Sequence, residues 1–107
     1  MEHKKIVGSW SLVNHGTFNE EGVYTPTAYQ IVGKLIYAND GAMSVLIVKC
    51  GDAKALSDLI VYSGRYSIDG DTINHHIEIA PRAARRNTTE IRFAELKNDI
   101  LILRTPK

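Results

Sequence analysis

A chain of 107 residues has room for one core, so its function is expected to sit on a single domain spanning 1–107. With 44% hydrophobic and 23% charged residues it is too apolar for a disordered chain and too polar for a membrane bundle. Thirteen Lys and Arg against twelve Asp and Glu leave a formal net charge of +1, which provides no overall field for nucleic acid, and any charged ligand must be held locally.

Near the N-terminus Lys4 and Lys5 are followed only by Ile6 and Val7 before Gly8 and Ser9, too short an apolar stretch for a secretory signal, so a cytoplasmic location is the expectation. Residues 10–18 read as a first strand of mixed faces, with Trp10, Leu12, Asn14, Gly16 and Phe18 on one side. Glu20, Glu21 and Gly22 turn the chain, and Pro26, which cannot donate to a ladder, makes the next stretch irregular or an edge. Residues 33–38 and 42–49 flank Asn39, Asp40 and Gly41 and predict a hairpin. The run from Val45 to Val48 inside it is far too short to cross a bilayer, so no membrane role is expected. Cys50, the single cysteine, rules out an internal disulfide and is expected to be buried as a small hydrophobe. Residues 51–59, with Ala53, Ala55, Leu56 and Leu59 among Asp and Lys, predict the one short helix. Two further hairpins follow, residues 60–68 and 72–80 around Asp69, Gly70 and Asp71, then 88–96 and 100–104 around Lys97, Asn98 and Asp99.

Seven to eight strands joined by tight turns predict an all-β fold, a small up-and-down antiparallel β-barrel whose closure removes exposed edges. A sandwich is the alternative, but it usually needs longer crossovers than these.

Several segments resemble the lipocalin-like domain family of small bacterial and fungal barrels, mostly uncharacterised. They are residues 6–12 (IVGSWSL), 33–37 (GKLIY) running to Asp40, Gly41 and Val45, 62–66 (YSGRY), 75–78 (HHIE) and 101–106 (LILRTP). The resemblance covers nearly the whole chain. It implies that Trp10 closes the barrel floor with Arg104 packed over its indole, a structural pair. It also implies a longer insertion, with a lid helix, than residues 49–59 provide, which argues against enclosing a large ligand.

Alternation within the barrel nominates the interior. On the strand after Asp71, Ile73, His75, Ile77 and Ile79 form the apolar face, which makes His75 a core imidazole, a ligand anchor or an acid/base group. On the preceding strand Tyr62, Gly64, Tyr66 and Ile68 face inward, so Tyr66 should meet His75 and two phenols with one imidazole should form a polar cluster. Gly64 reads first as a strand bend and second as space for a ligand. Arg92 lies opposite Ile91 and Phe93 on its strand. Outward it is solvated, which is the preferred reading, and inward it would hold a carboxylate or enolate; Arg65 is placed outside.

The ligand-binding candidates are Tyr37, Tyr62, Tyr66, His75 and Arg92, with His75 the catalytic candidate. Adjacent His75 and His76 point to opposite faces, so no metal site is expected; His76 with Glu78 reads as a surface pair. Arg82, Arg85 and Arg86 after Pro81 form a basic loop that could grip a phosphate, but without the interleaved aromatics of a nucleic-acid surface it reads first as a solvated loop. No nucleophile elbow, phosphate loop or redox pair is present, so no cofactor is expected. Three functions follow: binding of a small apolar molecule in the barrel, a cofactor-independent isomerase or cyclase using His75, or a filled barrel that forms a homodimer through a sheet face.

Overall fold

The computed structural model describes residues 2–28, 30–50 and 59–106. After a single helical turn, α1 (His3–Ile6), come β1 (Gly8–Ser11), β2 (Gly16–Phe18), β3 (Tyr24–Pro26), β4 (Ile31–Tyr37) and β5 (Ala42–Lys49). They are followed by β6 (Leu59–Asp69), β7 (Thr72–Ile79), β8 (Thr88–Lys97) and β9 (Ile100–Arg104). Seven strands form one antiparallel sheet in the order β1-β4-β5-β6-β7-β8-β9, while β2 and β3 make a separate hairpin. The sheet curls into a nearly closed barrel whose unjoined ends are β1 and β9. The predicted helix at 51–59 falls outside the described residues apart from Leu59, which begins β6.

Local chemistry accounts for the three hairpins. Gly41 takes φ +95° after Asn39 and Asp40, and the Asp40 carboxylate accepts the Ala42 N–H at 3.0 Å. Gly70 takes φ +59° between β6 and β7. Asn98 and Asp99 both adopt positive φ, 47° and 67°, the requirement of the two-residue turn that matches strand twist.

The first predicted strand breaks in two. The last tie to the barrel wall is the Leu12 N–H on the Gly33 carbonyl at 2.9 Å; beyond it neither face of the sequence is consistently apolar, and Val13 is left 80% exposed. The chain turns away and β2 pairs with β3, where Pro26 sits opposite Gly16 on a two-stranded edge. Cys50, expected inside, is exposed, because it continues the outward alternation of Ser44 and Leu46.

The core holds Ile6, Tyr37, Met43, Val45, Tyr62, Tyr66, Ile73, Ile77 and Ala80, with His75 the buried polar residue among those described. Ile6 delivers α1 to this core, and the Trp10 indole N–H donates to the Ile6 carbonyl at 2.8 Å, satisfying an acceptor that so short a helix leaves open. Arg104 does not serve Trp10 as the resemblance implied. Its guanidinium lies 5.5 Å over the Phe18 ring, because the β2–β3 hairpin brings that ring to the end of β9.

Candidate functional site

Register decides which way each strand faces. Directly opposed residues on neighbouring strands share a face. β7 buries Ile73, His75 and Ile77 as alternation predicts. β8 pairs Arg92 with Ile73 and Glu90 with His75. Both β8 side chains must therefore point into the barrel, and Ile91 and Phe93, 46% and 49% exposed, are turned outward. This overturns the preferred placement of Arg92 in solvent: a charged residue takes the inner face because its neighbour's register leaves it no other.

Ile79 corrects the alternation in the opposite direction. Between Gly64 and Ser63 the β6–β7 register shifts, so that Gly64 opposes Ile77 and Ser63 opposes Ile79. The bulge reverses parity and leaves Ile79 69% exposed. It also explains Gly64, where a Cβ would run into the His76 carbonyl; the glycine marks close backbone approach rather than space for a ligand.

His75 is 2% exposed and spends both ring nitrogens on phenols. Tyr37 Oη lies 2.6 Å from Nε2 and Tyr62 Oη lies 2.7 Å from Nδ1. The Glu90 carboxylate, which can only accept, helps raise the Tyr62 pKa and so favours the chain direction in which the Tyr62 proton points toward it. In that direction Tyr62 accepts from the His75 Nδ1–H, and His75 Nε2 accepts from Tyr37. Burial foremost, with Arg92 and His76 adding repulsion, lowers the His75 pKa to about 4, so the ring is neutral. Burial also raises Tyr62 to about 12 and Tyr37 well above the ordinary phenol range, and both keep their protons.

The phenols of this cluster are Tyr37 and Tyr62, not Tyr62 and Tyr66. Tyr66 opposes His75 in register and its ring packs 4.7 Å from Tyr37, yet its hydroxyl donates to the Ala38 carbonyl at 2.7 Å and accepts from His3 Nε2 at 2.6 Å. It fastens α1 and the β4–β5 turn. No other residue of β4 has an aromatic ring, so alternation already puts Tyr37 on one face or the other, but nothing in the sequence says that β4 lies across from β7.

One member of the site, Glu90, escaped the sequence reading altogether, and another, Arg85, enters it only as part of a basic loop. Glu90 carries both arginines: Arg92 Nη2 reaches Oε2 at 2.6 Å, and Arg85 Nε approaches Oε1 at 3.4 Å. Arg85 is not a solvated loop residue, since its guanidinium lies 5.5 Å from the centre of the Tyr62 ring. Arg86 folds back on its own loop, donating to Ala80 and Pro81 carbonyls. The side chains of Arg92, Glu90 and Arg85 remain 23%, 19% and 33% accessible. Only register could have shown that Glu90 belongs with His75.

Beside these charges the barrel lining is apolar and incompletely covered. Trp10, Leu35, Ile47, Ile60, Ile68, Ala94, Leu101 and Leu103 pack on the core yet stay partly accessible. A separate cleft of about 610 Å³ lies at the rim between Lys5 of α1 and the β8–β9 hairpin, touching Ala94 and Leu96 of the inner face and Phe93, Glu95, Ile102 and Arg104 of the outer face. Ala94 and Leu96 are the next inward positions after Arg92. Chemically, the arrangement provides a buried, fully bonded Tyr–His–Tyr chain at its back and an accessible Arg–Glu–Arg group at its front. Among the described residues no cluster of His, Cys, Asp and Glu is arranged to hold a metal, and no helix is long and apolar enough to cross a membrane.

The family model described as lipocalin-like domain matches residues 7–107. No curated protein matches the chain.

Proposed function

The chain belongs to the lipocalin-like domain family, and from that premise we propose that it binds a small, largely apolar molecule in the barrel, against the inner faces of β8 and β9. The barrel fold is consistent with such a role. The observation that carries the reading is the half-covered apolar lining: Ala94, Leu101 and Leu103 face the core yet keep surface accessible, where a solid barrel would bury them as completely as Ile73 and Ile77.

Within this reading Arg92 is the polar contact, and Tyr37, Tyr62 and His75 form the rigid wall behind it. Both nitrogens of His75 are committed to phenols, so the imidazole is a positioning group and not an acid or base that meets a substrate. The neutral fluorescent probe N-phenyl-1-naphthylamine tests the proposal. Saturable fluorescence enhancement at micromolar probe is expected, and Ala94→Trp, which fills the hollow, should abolish it while the far-ultraviolet circular dichroism is unchanged. Failure of the wild-type protein to bind the probe saturably overturns the reading.

A further inference from the structure

Among the described residues, charge around Glu90 does not balance. Glu90 is one carboxylate between two guanidiniums, one on each of its oxygens. Glu90 also lies close enough to Tyr62, itself held by His75, to raise that phenol's pKa. The group Arg85–Glu90–Arg92 thus carries one excess positive charge on a wall that is otherwise apolar. Arg92 uses Nη2 on Glu90 and Nη1 on the Ile91 carbonyl. Arg85 meets Glu90 through Nε, which leaves its outer guanidinium edge directed away from that contact.

An uncompensated cation in a half-buried apolar setting is costly unless a partner anion supplies the missing charge. The planar fork of a guanidinium fits the two oxygens of a carboxylate in a way that a point charge does not. We propose that the molecule bound in the barrel carries a single carboxylate, seated on the outer edge of Arg85 and beside Arg92, with its apolar body along Ala94, Leu101 and Leu103. The inference rests on the binding function above and adds the chemical class of the ligand.

The test displaces bound N-phenyl-1-naphthylamine with decanoate or with decanol, two chains alike except at the polar end. Decanoate is expected to displace the probe at a concentration about tenfold lower than decanol, the ratio that one charge-assisted contact of roughly 1.4 kcal/mol supplies. Arg85→Gln should bring the two competitors to parity, and Arg92→Lys, which keeps the charge and loses the fork, should reduce the preference. Arg82→Gln removes a cation from the same loop at an exposed position and should leave the preference intact.

Equal displacement by the two chains in the wild-type protein overturns the carboxylate assignment while binding itself stands. An equal loss of preference in Arg82→Gln and Arg85→Gln also overturns it, because the effect would then be general attraction to the loop. If the probe does not bind at all, both proposals fall. Circular dichroism melting of each variant separates lost binding from lost fold.

Discussion

His75 shows how one buried polar side chain can tie three strands together through both of its ring nitrogens. A buried imidazole with both nitrogens bonded is neutral, and its charged form is excluded by the surroundings. In the unfolded chain the ring takes up a proton near pH 6.5, whereas in the folded protein it resists until about pH 4. Through that window the unfolded state binds more protons, so stability must fall as the pH drops, by about 3 kcal/mol in total, and level off below it. His75→Gln, which keeps a donor and an acceptor for the two phenols, should flatten this part of the profile. Urea denaturation at a series of pH values compares the two proteins, and parallel profiles would sink the argument. Tyr62→Phe tests the same chain from the next link, since it leaves the His75 Nδ1–H buried without a partner and should cost about 1–3 kcal/mol.

At the scale of the element, β6 and β7 carry a defect that the rest of the barrel depends on. The bulge beside Gly64 ends one face of β7 after Ile77 and begins another, which lets Ala80 be buried where Ile79 is not. Gly64→Ala should therefore destabilise the protein by about 3 kcal/mol or more, because a methyl group there meets backbone and not a movable side chain. Chemical denaturation measures this, and a variant within about 0.5 kcal/mol of wild type would show that the ladder can shift to make room. Alternation along β7 was legible from Ile73, His75 and Ile77, and it failed at Ile79, since a bulge adds a residue to the count without leaving a mark in the side-chain pattern. The turns were legible for a different reason. Asn39, Asp40, Gly41, Gly70, Asn98 and Asp99 are residues whose own backbone preferences create the turn, with no help from distant contacts. The break after Ser11 left its sign in the mixed faces of 12–15.

For the whole molecule, the open seam between β1 and β9 sets where the barrel gives way first. β6 and β7 each have a ladder on both sides, while β9 has only β8 and β1 only β4. Amide hydrogen exchange should accordingly find β9 and β1 opening at lower free energy than β6 and β7, with bound N-phenyl-1-naphthylamine slowing β8 and β9 most. Uniform protection around the sheet would contradict an open seam. The inner faces of β8 and β9 lie at one end of this sheet, so the proposed site would sit beside the part of the barrel with fewest backbone restraints. α1 is itself held by Ile6 in the core, by Trp10 on the Ile6 carbonyl and by His3 on Tyr66, three ties from residues whose separate roles only the fold reveals.

The sequence by itself determined the all-β class, the three hairpin turns and the inward parity of Tyr62, Tyr66, Ile73, His75 and Ile77. These follow from interactions that reach no further than a few residues: backbone preference at Gly, Asn and Asp, and the two-residue period of a strand. Only the tertiary structure decided that Tyr37 and Tyr62 share His75, that Arg92 and Glu90 turn inward and that Arg85 joins them. Each of those outcomes depends on which strands adjoin and in what register, and it is the curling of the sheet, a property of all seven strands together, that brings β4, β6, β7 and β8 around one core.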